Sequence, residues 1–269
     1  MRSFVVKEDG LKLVDFIALS FGISKKAAKE IVDSKLVFVN NKRVWISKHL
    51  LHRGDVVEYF GEKKEKFELE IIYEDEFIIV VNKPPFILSN ASKNSLEDLL
   101  RIEKKSNEIK AIHRLDKETS GVILFAKNEL AFQKFKELWT KKEVKKIYLA
   151  ICYGESSFKE KWINEKIDGK PATSLVRLIK SKKGVSYFEV EIITGRKHQV
   201  REHLASIRHP IVGDKLKDNF YLGIKGFKNV RRQLLHSYRI EFNCPFTGQE
   251  RKFFAPIPED FKEFLGALK

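Results

Sequence analysis

Residues 113–127 read HRLDKETSGVILFAK. The second half, Val122 to Ala126, is an unbroken apolar run of strand length, the mark of a buried strand. The first half is polar and turn-forming, and it sets Asp116 two positions after Arg114. An aspartate in Asp-Lys-Glu-Thr-Ser-Gly ordinarily does no more than shape a turn. A carboxylate works as nucleophile or base only when it is held in place and kept ionised, and nearby guanidinium groups do both. The stretch therefore reads as a loop that carries a candidate catalytic carboxylate at the edge of a rigid strand.

Working outward, strands are expected at 70–73, 77–81, 121–126, 146–152, 174–179, 187–193 and 235–242. One helix is expected from Glu129 to Trp139, capped by Asn128, with Phe132, Phe135, Leu138 and Trp139 buried at helical spacing. Strands outnumber helices and do not alternate with them, which predicts an α+β domain on a mixed, largely antiparallel sheet. Residues 11–58 predict a separate small α+β unit. It has a short apolar helix ending near Gly22 and a second helix, Ser24 to Ser34, with Ala27, Ala28, Ile31 and Val32 inward. A hairpin follows across Asn40-Asn41, from Leu36–Val39 to Arg43–Ile46, and then a strand from Val56 to Phe60. The charged run after Gly61 holds no core residue. The expected division is 1–60 for the small unit, 61–68 for a linker and 69–269 for the larger domain.

The chain has 269 residues, 43% of them hydrophobic, enough to bury a good-sized core. It carries 52 Lys and Arg against 37 Asp and Glu, a net charge of +15. Such a balance favours polyanion partners such as nucleic acid, or an anionic membrane surface, although lysine also serves as a plain solubilising residue. Residues 1–60 hold 11 basic and 7 acidic side chains, so most of the excess lies beyond them. No stretch reaches about 18 apolar residues, so no transmembrane helix is expected; contacts to nucleic acid rather than to a membrane are the expected use of the charge. The opening MRSFVVKEDGLKLVDF has no continuous apolar segment or small-residue cleavage site, so no secretory signal is expected. Cys152 and Cys244 stand outside any CxxC or metal spacing and suit a reducing cytoplasm.

Two further segments carry candidate chemistry. TGRKHQVREH, residues 194–203, is rich in cations and amides and follows a strand. Arg201 in it can pair with a buried carboxylate, or the segment can be a basic face that touches phosphates or water. His198 and His203 are five apart, off a common helical face, and no HExxH occurs, so zinc is not expected. In VKKIYLA, residues 144–150, Tyr148 is either core filler or the wall of a pocket that receives a base.

HRLDKETSGVILFAK closely resembles the signature of the RluA family of pseudouridine synthases. Further segments fall in the family's order: Ile79-Val-Val-Asn-Lys-Pro84, Lys146-Ile-Tyr-Leu-Ala150, TGRKHQVREHLA with His209-Pro-Ile-Val-Gly-Asp214, Leu234-Leu-His236, and Cys244-Pro-Phe-Thr-Gly248. Together they span residues 70–258. Residues 11–60 separately resemble the alpha-L RNA-binding domain of ribosomal small-subunit protein four, through a helix pair, basic positions and the VNNKRV hairpin. The chain departs from the family where a glycine and a His-Pro usually follow NKP, since Pro85 and Ser89-Asn90 stand there. It departs again after Gly213-Asp214, where Lys215-Leu-Lys217 replaces the usual tyrosine.

The resemblance implies isomerisation of uridine in RNA to pseudouridine with no cofactor and no metal. It implies Asp116 as the essential carboxylate and Arg201 as its partner. Tyr148 would stack on the flipped base and help remove the C5 proton. It further implies substrate contacts from Arg114, Leu235 and Lys146. Ribosomal RNA of the large subunit is the expected substrate, with transfer RNA as the alternative and a monomer as the expected form. A non-catalytic RNA-binding assembly factor and a metal-dependent nuclease are the competing classes. The second needs several convergent carboxylates, and near Asp116 in sequence there is Glu118.

Overall fold

The structure, a computed structural model, describes residues 2–33, 37–40, 42–59, 69–214 and 230–267. The chain divides into two compact units, Met1–Glu68 and Leu69–Lys269. The expected linker at 61–68, Leu36, Asn41 and the Lys215–Lys217 departure lie outside the described residues.

The first unit runs β1 (Arg2–Val5), β2 (Leu11–Lys12), α1 (Leu13–Phe21), α2 (Lys25–Asp33), β3 (Val37–Val39), β4 (Lys42–Arg43), β5 (Leu50–Leu51) and β6 (Val56–Tyr59). α1 stops at Gly22, whose φ of 64° is the left-handed turn a glycine adopts freely. The Ser24 hydroxyl then accepts the Ala27 N–H at 3.2 Å and starts α2. Leu13, Ile17, Ala28, Val32, Val37 and Val57 form the core. The expected hairpin is shorter than its apolar run suggests. Beyond Arg43 the chain leaves the ladder for a turn closed from His49 N–H to the Ile46 carbonyl, and Trp45 and Ile46 stand exposed.

The second unit continues with β7 (Ile71–Glu74), β8 (Ile78–Lys83), α3 (Leu96–Lys104), β9 (Lys110–Ala111), β10 (Ser120–Ala126), α4 (Glu129–Lys141), β11 (Lys145–Tyr153), β12 (Glu160–Ile167), β13 (Lys170–Lys182), β14 (Val185–Ile192), α5 (Gln199–Ser206), β15 (Leu235–Asn243), β16 (Glu250–Phe254) and α6 (Glu259–Ala267). Among the described residues its strands make one ten-stranded sheet, ordered β12-β13-β14-β11-β15-β10-β8-β7, with β16 on β15 and β9 on β10. The pairings are antiparallel except β10 with β15, so the sheet is mixed and largely antiparallel. β10 is buried along its whole length because its faces serve two cores. Ile123 and Phe125 join Leu96, Val200, Leu204 and Phe261 on one side, while Val122, Leu124 and Ala126 join Ala131 and Phe135 of α4 on the other. The Asn128 side chain accepts the Ala131 N–H at 2.9 Å and caps α4. Ala131 and Phe135 are that helix's buried residues, and Phe132, Leu138 and Trp139 pack only part of their surface.

The parallel seam places the site. Gly121 lies opposite Ser237, with a φ of 113°, and a Cβ there would stand 2.1 Å from the Ser237 carbonyl oxygen. Only glycine allows the two backbones to approach so closely. Gly121→Ala is expected to lower stability by at least about 3 kcal/mol, read as a fall in the urea midpoint. A variant that unfolds like the wild type would show that the seam can open without loss.

Candidate active site

The loop between β9 and β10 holds Asp116, and neighbouring groups hold almost every backbone unit around it. The Ser89 hydroxyl is buried; it accepts the Leu115 N–H at 2.9 Å and donates to the Leu115 carbonyl at 3.0 Å. Thr119 N–H donates to the Asp116 carbonyl at 3.1 Å, and Phe86 N–H donates to the Lys117 carbonyl at 2.7 Å. The fully buried Lys83 ammonium donates to the carbonyls of Pro84 and Ile87 at 2.9 Å and of Lys117 at 3.1 Å. Burial lowers the Lys83 pKa to about 7; Arg232 pushes the same way and Asp116 opposes. Arg232 donates to the Glu118 carbonyl at 3.1 Å, and the Gln233 amide donates to the Thr119 hydroxyl at 2.8 Å. The turn-forming sequence thus becomes a fixed platform rather than a loose loop.

Arg201, near the start of α5, meets Asp116 across a small pocket of about 60 Å³. Its guanidinium donates Nη1–H to Asp116 Oδ2 at 3.3 Å and makes a two-pronged pair with Asp214, Nε to Oδ2 and Nη2 to Oδ1, both at 2.7 Å. Burial works against its charge, but the bonds to Asp214 and Asp116 more than offset that and raise its pKa. On the other oxygen of Asp116, Oδ1, His198 Nε2 lies 3.7 Å away. His198 takes a left-handed φ of 55° just before α5. Gln199 fixes this turn: its carbonyl oxygen accepts from the Thr194 hydroxyl at 2.7 Å and Arg196 N–H at 3.0 Å, and its amide donates to the Thr173 carbonyl at 2.9 Å.

Of the residues singled out from the sequence, the pocket brings together Asp116, Tyr148, Arg201, Leu235 and Arg114. Arg114 is exposed at its rim. Tyr148 is buried on β11, where the pairing with β15 slips between Ile147 and Tyr148. Burial pushes its phenol well above the usual value, the charge of Asp116 adds to this, and a hydrogen bond with Ser237 opposes it. Lys146 does not line the pocket. It is buried where the Lys142 charge reaches it, and burial lowers its pKa to about 8. His113 also points away: its Nε2 accepts the Leu124 N–H at 3.1 Å, and its ring stacks on Trp139 at 5.0 Å. Sequence reasoning gave no role to Asp214, His198 or Ser89. Asp214 had a usable signal, since a carboxylate in a Gly-Asp turn after an Arg-rich segment is a candidate partner for a buried guanidinium. Among the described residues no group of three or more His, Cys, Asp or Glu is placed to hold a metal ion.

The family described as RNA pseudouridylate synthase matches residues 77–206, and the S4 domain matches residues 11–57. The uncharacterized RNA pseudouridine synthase YhcT of Bacillus subtilis is 30% identical over 95% of this chain and 93% of its own. This chain belongs to the RNA pseudouridine synthase family. Ribosomal large subunit pseudouridine synthase D of Neisseria meningitidis serogroup A is 33% identical over 76% of this chain and 62% of its own. Human RNA pseudouridylate synthase domain containing 4 shares the fold, with a TM-score of 0.62 at 21% identity, covering 74% of this chain and 92% of that one. No described helix of the synthase is long and apolar enough to cross a membrane.

Two predictions concern the ionic framework. Asp214→Asn leaves the Arg201 guanidinium buried without its main partner, so stability should fall by about 3–5 kcal/mol. An unchanged urea midpoint would mean that Arg201 re-pairs at no cost. Burial also lowers the pKa of His113 to about 3, helped by Lys146, and that of His236 to about 4. Both are neutral in the fold and take up protons near 6.5 once unfolded. Their contribution is complete above pH 6.5 and is lost as pH falls towards 4, by up to about 1.4 kcal/mol per pH unit for each histidine. His236→Gln should flatten the slope of stability against pH between 6.5 and 4, and an unaltered slope would assign the acid sensitivity elsewhere.

Proposed function

We propose that this enzyme isomerises specific uridines of large-subunit ribosomal RNA to pseudouridine, with Asp116 as the essential carboxylate. The observation that carries the assignment is the pairing of Asp116 with an Arg201 that Asp214 holds rigid, at the floor of a pocket that also exposes Tyr148 and Leu235. In the reaction the bond from C1′ to N1 breaks, the base turns, and C1′ bonds to C5. The C5 proton then leaves, and N1 gains a proton, so atoms balance without a redox partner. A fixed carboxylate can bond to a carbon centre or stabilise positive character at C1′. Arg201 aims it, and fixing the geometry of the reacting groups is itself a large share of catalysis.

Tyr148 and Leu235 are suited to sandwich the flipped base, and Arg114 at the rim is suited to brace the RNA. The phenol of Tyr148 is held protonated partly by the charge of Asp116. Bonding of Asp116 to the substrate would neutralise that charge and so remove one of the causes that raise the phenol's pKa. Lys146, away from the pocket, has no assigned contact with the base.

Residues 1–60 are read as the RNA-binding domain that precedes the catalytic domain at 69–269. Support for ribosomal RNA comes from relatives named as large-subunit synthases, from the S4 match and from the +15 charge. Two free, buried cysteines suit a reducing cytoplasm, and we take the working form as a monomer.

The test is tritium release from RNA labelled at uridine C5, with ribosomal and transfer RNA side by side and no added cofactor. Wild type should release label from ribosomal RNA, Asp116→Asn should lose at least roughly 10³-fold, and Arg201→Lys, which keeps the charge but not the planar fork, should lose much of the rate. Release from transfer RNA alone would overturn the substrate. Full activity of Asp116→Asn would overturn the mechanism.

A further inference from the structure

A second concave site lies in the catalytic unit, away from Asp116. β12 is the edge strand of the large sheet, and along it Ile163 and Ile167 alone are buried. Trp162 stands 53% exposed, although an indole is among the costliest side chains to leave in water. Beside it, Lys161, Asn164 and Glu165 of β12 and Ser206 and Arg208 at the end of α5 line a polar cavity of about 520 Å³. α5 joins this cavity to the catalytic pocket. His198 to Arg201 line the pocket at one end of the helix, and Ser206 to Arg208 line the cavity at the other. Eight residues of helix span about 12 Å.

We propose that this cleft binds a single-stranded nucleotide of the substrate RNA next to the target uridine, with its base stacked on Trp162 on the outer face of the edge strand and its phosphate reaching over the edge to Lys161 and Arg208 on the other side. The inference rests on the RNA reading above. An aromatic platform flanked by cations is how single strands are held without sequence readout, because every base has a π face and every link a phosphate. The amide of Asn164, on the same face of β12 as Trp162, offers a donor and an acceptor to base edges. The other natural use of an edge strand, addition of a peptide strand, is opposed by alternating charge at Glu160, Lys161, Glu165 and Lys166. A position one short helix from Asp116 suits a neighbour of the flipped base. Docking there would also help to offset the cost of unstacking the target.

The probe is a fluorescein-labelled single-stranded RNA of mixed sequence, read by anisotropy, together with turnover of ribosomal RNA by the same proteins. Trp162→Ala should weaken oligonucleotide binding roughly ten-fold and raise KM with little change in kcat. Trp162→Phe should restore most of the binding. Binding and KM equal to wild type in Trp162→Ala would overturn the proposal. A fall in kcat at saturating RNA with binding intact would also overturn it, by making Trp162 structural. Oligonucleotide binding by wild type that Trp162→Ala leaves unaltered would give the cleft to a protein partner instead. If wild-type protein turns over no RNA yet loses binding on Trp162→Ala, the cleft stands and the catalytic reading fails.

Discussion

A buried guanidinium must have its donors satisfied, and Arg201 satisfies them with two carboxylates from distant parts of the chain. That single requirement organises the active site. Asp214 takes two of the donors at short distance and fixes the plane of the group. Of the three N–H groups left over, one on Nη1 points to Asp116. Rigidity on the carboxylate side comes from the loop's own carbonyls, claimed by Ser89, Thr119, Lys83, Phe86 and Arg232. The site is therefore set by two separately braced frameworks that meet where Arg201 and His198 face Asp116.

The same logic separates what was legible in the sequence from what was not. β10 and α4 were readable because their signals are local: an unbroken apolar run, and an Asn cap with helical spacing. Asp116, Tyr148 and Arg201 were readable through resemblance, and the structure lines one pocket with all three. Ser89 was noted as a departure from the family pattern, but its partner is Leu115, 26 residues on. Only the folded chain reveals that contact. His198 faces Asp116 because of a left-handed turn that no local rule assigns to a histidine. Lys146 belongs to the same motif as Tyr148 and was expected to touch the substrate; it does not line this pocket.

Missed elements fail for physical reasons too. α3 follows a run rich in Ser and Asn that reads as loop, yet Ser95 in that run is its cap and accepts the Asp98 N–H. β12 buries only Ile163 and Ile167, four apart, a spacing that helix and strand faces share and that therefore signals neither. An edge strand has little reason to alternate strictly, since its outward face is met mainly by water. β13 extends well beyond its apolar stretch because pairing with β12 and β14 carries polar residues along the ladder.

The seam between β10 and β15 also governs when the enzyme can exist. Ser237 bonds to the Val122 carbonyl across 115 residues of chain, and Leu235 forms part of the pocket wall. On a translating ribosome the loop bearing Asp116 leaves the exit tunnel long before the strand that completes its surroundings. Until that strand emerges, Gly121 has no opposite backbone to lie against, and the carboxylate has no pocket. Contacts this distant in sequence form late. The pocket around Asp116 is therefore complete only once β15 has been made and has paired with β10.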